Sequence, residues 1–98
     1  MSNISILPQA EQEFSDAVDW YNDQCPGLGY EFAAEVTATL ERISDFPQAW
    51  PKISRRARRC MTNKFPFGVI YQIRKDCILV LALMHMKRDP TCWRERVG

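Results

Sequence analysis

Two groups of residues in this 98-residue chain have the types and spacing to do chemistry. The first is ISRRARRCMTNKFPF (53–67), which sets Arg55, Arg56, Arg58 and Arg59 within five positions and then turns aromatic. Guanidinium groups so crowded suit a phosphate-binding face or a docking surface for an acidic segment, since each presents a permanently charged fork of donors. The second is HMKRDPTCWRER (85–96), which contains His85, Arg88, Trp93 and Arg96. His85, the single histidine, is of the residue type best suited to a general base near neutral pH. Packed beneath a helix and bonded to backbone, the same ring would do no chemistry. Trp93 between two arginines has the composition of an interface anchor for nucleic acid or protein. It equally fits an aromatic lid on the core, with Arg88 paired to Asp89 or to an acid of the first helix.

Composition narrows what such residues serve. A chain of 98 residues makes one domain, 1–98, whose single core buries roughly 60–70% of the unfolded surface. With 46% apolar and 26% charged residues it reads as globular. No apolar run reaches the roughly 18 residues that span a bilayer. MSNISILPQAEQEF lacks the basic and apolar regions of a secretory signal, so a cytoplasmic protein without a membrane partner is expected. Cys25, Cys60, Cys77 and Cys92 form no C-x-x-C pair and, with one histidine, assemble no zinc spacing. Reduced, buried thiols are expected, and neither metal nor cofactor. The net charge of +1 hides an asymmetry: residues 1–51 carry −8 and residues 52–98 carry +9. A solvated helix face accounts for the acidic half; the basic half implies an acidic partner or nucleic acid.

The elements that must position these residues follow from periodicity. NISIL (3–7) alternates as a strand, and Pro8 opens a helix with Glu11 and Glu13 in its first turns. Phe14, Ala17, Val18 and Tyr21 make one helical stripe. CPGLG (25–29) breaks that helix, and a second follows with Phe32, Val36, Leu40 and Ile43 on one face, ending at Phe46-Pro47. The two must form an antiparallel hairpin. The period then changes to two: strands are predicted over 55–62, 65–74 and 77–86. On the first of these, alternation sends Arg56 and Arg58 to one face and Arg55 and Arg59 to the other. Tyr71, on the face of Phe67 and Val69, belongs to the core, and the last strand is apolar enough to be central. Asp89 and Pro90 then start a short C-terminal helix. The predicted fold is α+β: N-terminal strand, α-helical hairpin, three-stranded antiparallel meander and short C-terminal helix, or β-α-α-β-β-β-α.

Three stretches carry a family resemblance: AVDWYNDQCPGLGYEFAAEV (17–36), RRCMTNKFPFGVIYQI (58–73) and H-x-x-R-x-P-x-x-W-x-x-R at the end. Together, in order and in spacing, they resemble the RelE/ParE superfamily of bacterial type II toxin–antitoxin toxins, over nearly the whole chain. The resemblance implies the same β-α-α-β-β-β order and a toxin neutralised by a cognate antitoxin with an acidic C-terminal segment. RelE-like members cut mRNA in the ribosomal A site; ParE-like members inhibit DNA gyrase without an established chemical step. RelE-like nucleases use lysines ahead of the second strand, a third-strand arginine, and a C-terminal arginine and tyrosine. Here Lys52 alone precedes the strand, Gly68 stands at the arginine position, Trp93 replaces the tyrosine, and Arg88 matches.

The resemblance therefore favours the ParE-like branch: a non-enzymatic growth inhibitor, a plasmid-stabilisation type of toxin, that binds gyrase. A ribosome-dependent endoribonuclease is the alternative, with His85, Arg88 and Lys52 as candidate catalytic groups. A third reading is a toxin fold of weak or lost activity that acts only within its antitoxin complex. Arg55, Arg56, Arg58, Arg59, Arg88, Trp93 and Arg96 are the expected binding residues for antitoxin or target.

Overall fold

In the computed structural model, which describes residues 3–88 and 93–96, the chain runs β1 (Ile4–Ile6), α1 (Pro8–Gln24), α2 (Leu28–Asp45), β2 (Arg58–Met61), β3 (Phe67–Ile73) and β4 (Ile78–His85). A 3₁₀ turn at Arg94–Arg96 closes the described chain. Asp89 and Pro90, the expected start of the C-terminal helix, lie outside the described residues. Pro8 occupies the first turn of α1, where its missing N–H costs nothing. Gly27, at φ 90°, makes the left-handed turn between the helices. Gly29 lets them close: its N–H donates to Asn22 Oδ1 at 2.8 Å, and a Cβ there would sit 2.2 Å from the Val18 carbonyl oxygen.

The expected helical stripes point into the core, with Ala17, Tyr21, Phe32, Val36 and Ile43 buried against Val69, Tyr71, Val80 and Leu83 of the sheet. Phe32 meets Phe65 and Phe67 edge-to-face, with centroids 5.2 and 4.9 Å apart. Tyr71 is fully buried and its hydroxyl donates to the Pro47 carbonyl at 2.6 Å. Burial pushes its pKa up to about 12, against the pull of nearby Arg58.

The sheet order is β1-β4-β3-β2, with β2, β3 and β4 an antiparallel meander and β1 parallel to β4. The helical hairpin supplies part of the long crossover that a parallel pair requires. β4 is thus central, and a second cluster covers its other face: Ala57, Ile70, Leu81, Ala82, Met84 and Trp93.

Two expectations need correction. The strand predicted over 55–62 begins only at Arg58, because Ile53 and Ser54 N–H groups both donate to the Ala57 carbonyl and fold 53–57 into a tight loop. Arg55 and Arg56 therefore have no strand parity. Among the thiols, Cys60 is buried, Cys77 half-buried and Cys25 exposed, since Cys25 ends α1 on the outer turn; Cys92 lies outside the described residues. Burial pushes the Cys60 thiol up, opposed by Arg42.

β4 also departs from simple alternation. Ile70 pairs with Ala82 but Tyr71 with Val80, so Leu81 bulges from the ladder. Ile78, Val80 and Leu83 face the helices while Leu81, Ala82 and Met84 face away. The extra residue shifts the phase of everything after it, including His85.

Candidate functional site

The helix-free face of the sheet is where the cationic side chains converge. Arg59 and Met61 on β2, Gly68 and Ile70 on β3, and Met84 on β4 alternate onto this face. Trp93 closes part of it and is only 3% exposed, with the Arg94 guanidinium stacked 5.5 Å from its ring centre. Between them lies a cavity of about 170 Å³ with an apolar floor of Ile70, Met84 and Trp93. Its rim carries Arg59, His85, Arg88 and Arg94 and, among the described residues, no carboxylate.

Gly68 shapes the middle of this cavity. A methyl group there would come within 3.0 Å of Arg59 Cγ and Cδ and 3.1 Å of Met61 Sδ. The space a third-strand side chain would fill is crossed by the stem of Arg59.

His85 ends β4 opposite Phe67, and the two rings meet edge-to-face at 5.2 Å. Its Nδ1 accepts the Lys87 backbone N–H at 3.0 Å. A neutral ring so bonded carries its proton on Nε2, which then only donates. The remaining lone pair is occupied, so the ring as placed offers no free nitrogen for a general base.

Arg88 and Arg96 converge on one acid, Glu13 of α1. Arg96 Nη1 reaches Glu13 Oε1 at 2.8 Å and Arg88 Nη1 reaches Oε2 at 3.3 Å. Arg96 also donates to the Leu81 carbonyl, and Glu13 accepts the Leu83 N–H, at 3.1 and 3.2 Å. β1 ends at Ile6, and this ion pair takes over hydrogen bonding along the bulged edge of β4. Beyond it, a wide groove of about 780 Å³ runs between Trp20 and Tyr21 of α1 and Phe67, Leu83 and His85 of the sheet. Arg88 borders both the groove and the cavity.

The other candidates are dispersed. Arg58 turns toward the helices, its Nη1 donating to the carbonyls of Gln48 and Trp50 at 3.0 and 2.8 Å. Lys52 is exposed, pairs backbone with Arg58, and is not among the residues lining the cavity. Arg55 and Arg56 line a shallower hollow that shares Trp93 and Arg94 with the main cavity. Glu13 and Arg94 were not singled out from the sequence. Glu13 looked like a helix-dipole acid, and its partners lie 70 to 83 positions away, beyond any local pattern. Among the described residues no cluster of three or more His, Cys, Asp or Glu is placed to hold a metal ion.

A helical hairpin on one face of a four-stranded sheet, with arginines on the other face, defines a small α+β domain of the RelE/ParE type. The family model for the ParE toxin of the type II toxin–antitoxin system, parDE, matches residues 4–90, and the chain belongs to that family. A solved structure of a chromosomal ParDE toxin–antitoxin system from P. aeruginosa superposes with a TM-score of 0.72 at 14% identity. The match covers 89% of this chain and 98% of that one and shows the shared fold. No curated protein matches the chain.

Proposed function

We propose that this ParE-family toxin inhibits DNA gyrase by binding it, without a chemical step, and that a cognate antitoxin with an acidic C-terminal segment neutralises it. The observation that carries the non-enzymatic reading is the composition of the helix-free face. Cleavage by the 2′-OH of RNA needs a base, an acid and charge stabilisation. Among the described residues this face offers arginines for the last and, for the first two, a histidine whose lone pair is engaged and a buried indole. The ParDE match supports an antitoxin partner.

The purified toxin should block supercoiling by gyrase in a concentration-dependent way, and added antitoxin should restore it. Supercoiling that persists at every toxin concentration defeats the proposal. Primer extension on translated mRNAs after induction should show no new A-site ends; strong codon-linked cuts would move the protein to the nuclease branch.

A further inference from the structure

The two edges of the sheet are finished differently. On β2, the Arg59 N–H donates to the Pro51 carbonyl and Arg42 donates to the Met61 carbonyl. β1 forms the other edge. Its parallel ladder with β4 uses the Asn3 carbonyl, the Leu7 N–H and, between them, both backbone groups of Ser5. Ile4 and Ile6 therefore turn their N–H and C=O groups outward, and among the described residues no backbone group meets them.

The sequence of this edge constrains what can cover it. Residues 3–10, NISILPQA, carry no charge, and Pro8 comes only after the strand has ended. Neither lysine nor bulge blocks the addition of another strand. Beside Ile6, which is 38% exposed, lies an apolar hollow of about 220 Å³ lined by Phe14, Val36, Leu40 and Val80, with Glu11 on its margin. An acidic segment laid along β1 would be repelled by that carboxylate, whereas a neutral apolar strand would fill the hollow. β1 is itself such a strand, and it matches its own copy about Ser5. Run antiparallel, Ile4 of each copy faces Ile6 of the other, and these are the residues whose backbone groups point outward. Each such pair exchanges both its hydrogen bonds. Charge complementarity agrees. Glu11 stands at the Ile6 end of β1, while the β3–β4 turn, positive through Arg74 and Lys75 against Asp76, lies at the Ile4 end beside Ile78. The two-fold axis brings each Ile6 end to the Ile4 end of the other copy.

We propose that β1 is a self-association edge: two copies of this chain join antiparallel through Ile4 and Ile6, with Ser5 on the two-fold axis. The contact is isologous and closes at a dimer whose two sheets form one. Both helical hairpins then lie on the same face, and the two α1 helices leave from opposite ends of the junction. Because β1 has only three residues, the ladder is short and the dimer forms in a concentration-dependent way. The proposal does not depend on which target the toxin acts upon.

Disulfide trapping tests the register. Across a non-hydrogen-bonded antiparallel pair the two Ser5 Cα atoms would lie about 4.5 Å apart, within disulfide reach. Those of Asn3, two residues off the axis, would lie roughly 13 Å apart, beyond it. The background carries Cys25→Ser, Cys77→Ser and Cys92→Ser, which leaves only the buried Cys60. In it, Ser5→Cys should be trapped as a covalent dimer in a glutathione redox buffer, and Asn3→Cys about tenfold more slowly or not at all. Both positions are exposed, so neither change disturbs the core. Sedimentation equilibrium of the unaltered chain should show the mass rising from one chain toward two between micromolar and millimolar concentration. The proposal fails if Ser5→Cys is not trapped, the edge then being open to a strand of another protein. It fails equally if Asn3→Cys is trapped as readily as Ser5→Cys, as random encounter would give, or if the unaltered chain stays monomeric at the top of that range.

Discussion

At the scale of single residues, Glu13 supplies the edge of β4 with what β1 is too short to give. Its carboxylate holds two guanidinium groups and a backbone N–H while only 11% exposed. Removing the charge strands Arg96, itself 15% exposed, beside a strand edge. Glu13→Gln should cost about 3 kcal/mol in urea denaturation. In a double-mutant cycle, Glu13→Gln with Arg96→Gln should cost less than the two singly, because one broken network is counted twice. Tyr71 supplies a pH signature. Its pKa rises from 10.0 to about 12, so the folded state favours the neutral phenol. That preference, worth about 3 kcal/mol, is fully present below pH 10 and is lost as pH climbs to about 12. Stability measured against pH should therefore fall less steeply above pH 10 in Tyr71→Phe than in the wild type.

At the scale of elements, the helical hairpin depends on one missing methyl group. Gly29→Ala would drive a Cβ into the Val18 carbonyl, and backbone cannot step aside as a long side chain can. A loss of about 2–4 kcal/mol is expected, visible as a Tm drop of roughly 10 °C or more. Gly68→Ala meets the stem of Arg59 and the Met61 sulfur, side-chain atoms that can give by a few tenths of an ångström where backbone cannot, and should cost about 1 kcal/mol in the same melts. The helices were legible in the sequence because burial on one side imposes a period near four over 17 and 18 residues. β2 was legible only in part. Arginines at 55 and 56 alternate as well as those at 58 and 59, and the tight loop is set by backbone bonds to Ala57 that side-chain pattern does not encode. The bulge at Leu81 lay in a continuous apolar run, where a phase shift leaves no trace.

At the scale of the molecule, charge separated along the chain becomes charge separated in space. The −8 half builds the helical layer and the short edge strand β1, and the +9 half builds the other three strands, the arginine-lined face and the loop before it. An acidic antitoxin segment should be steered to the basic side. Its association rate with the toxin should fall about tenfold or more from low to high salt in stopped-flow mixing, with a much smaller change in dissociation. A salt-independent association rate would mean that the dipole has no part in recognition.

The sequence by itself determined the order of elements from β1 to β4, the two helical stripes, the central position of β4, the burial of Tyr71 and the membership of a toxin superfamily. Each of these follows from local period, turn chemistry or motif spacing, all readable along one dimension. Only the tertiary structure decided which charges meet. It joined Glu13 to Arg88 and Arg96 across more than 70 positions, turned Arg58 inward and Arg59 outward, and tied up the lone pair of His85. It also set Arg59 over Gly68. The reason is geometric. A strand's alternation fixes which face a side chain takes, but long flexible cations are placed by whatever partner folding brings within reach.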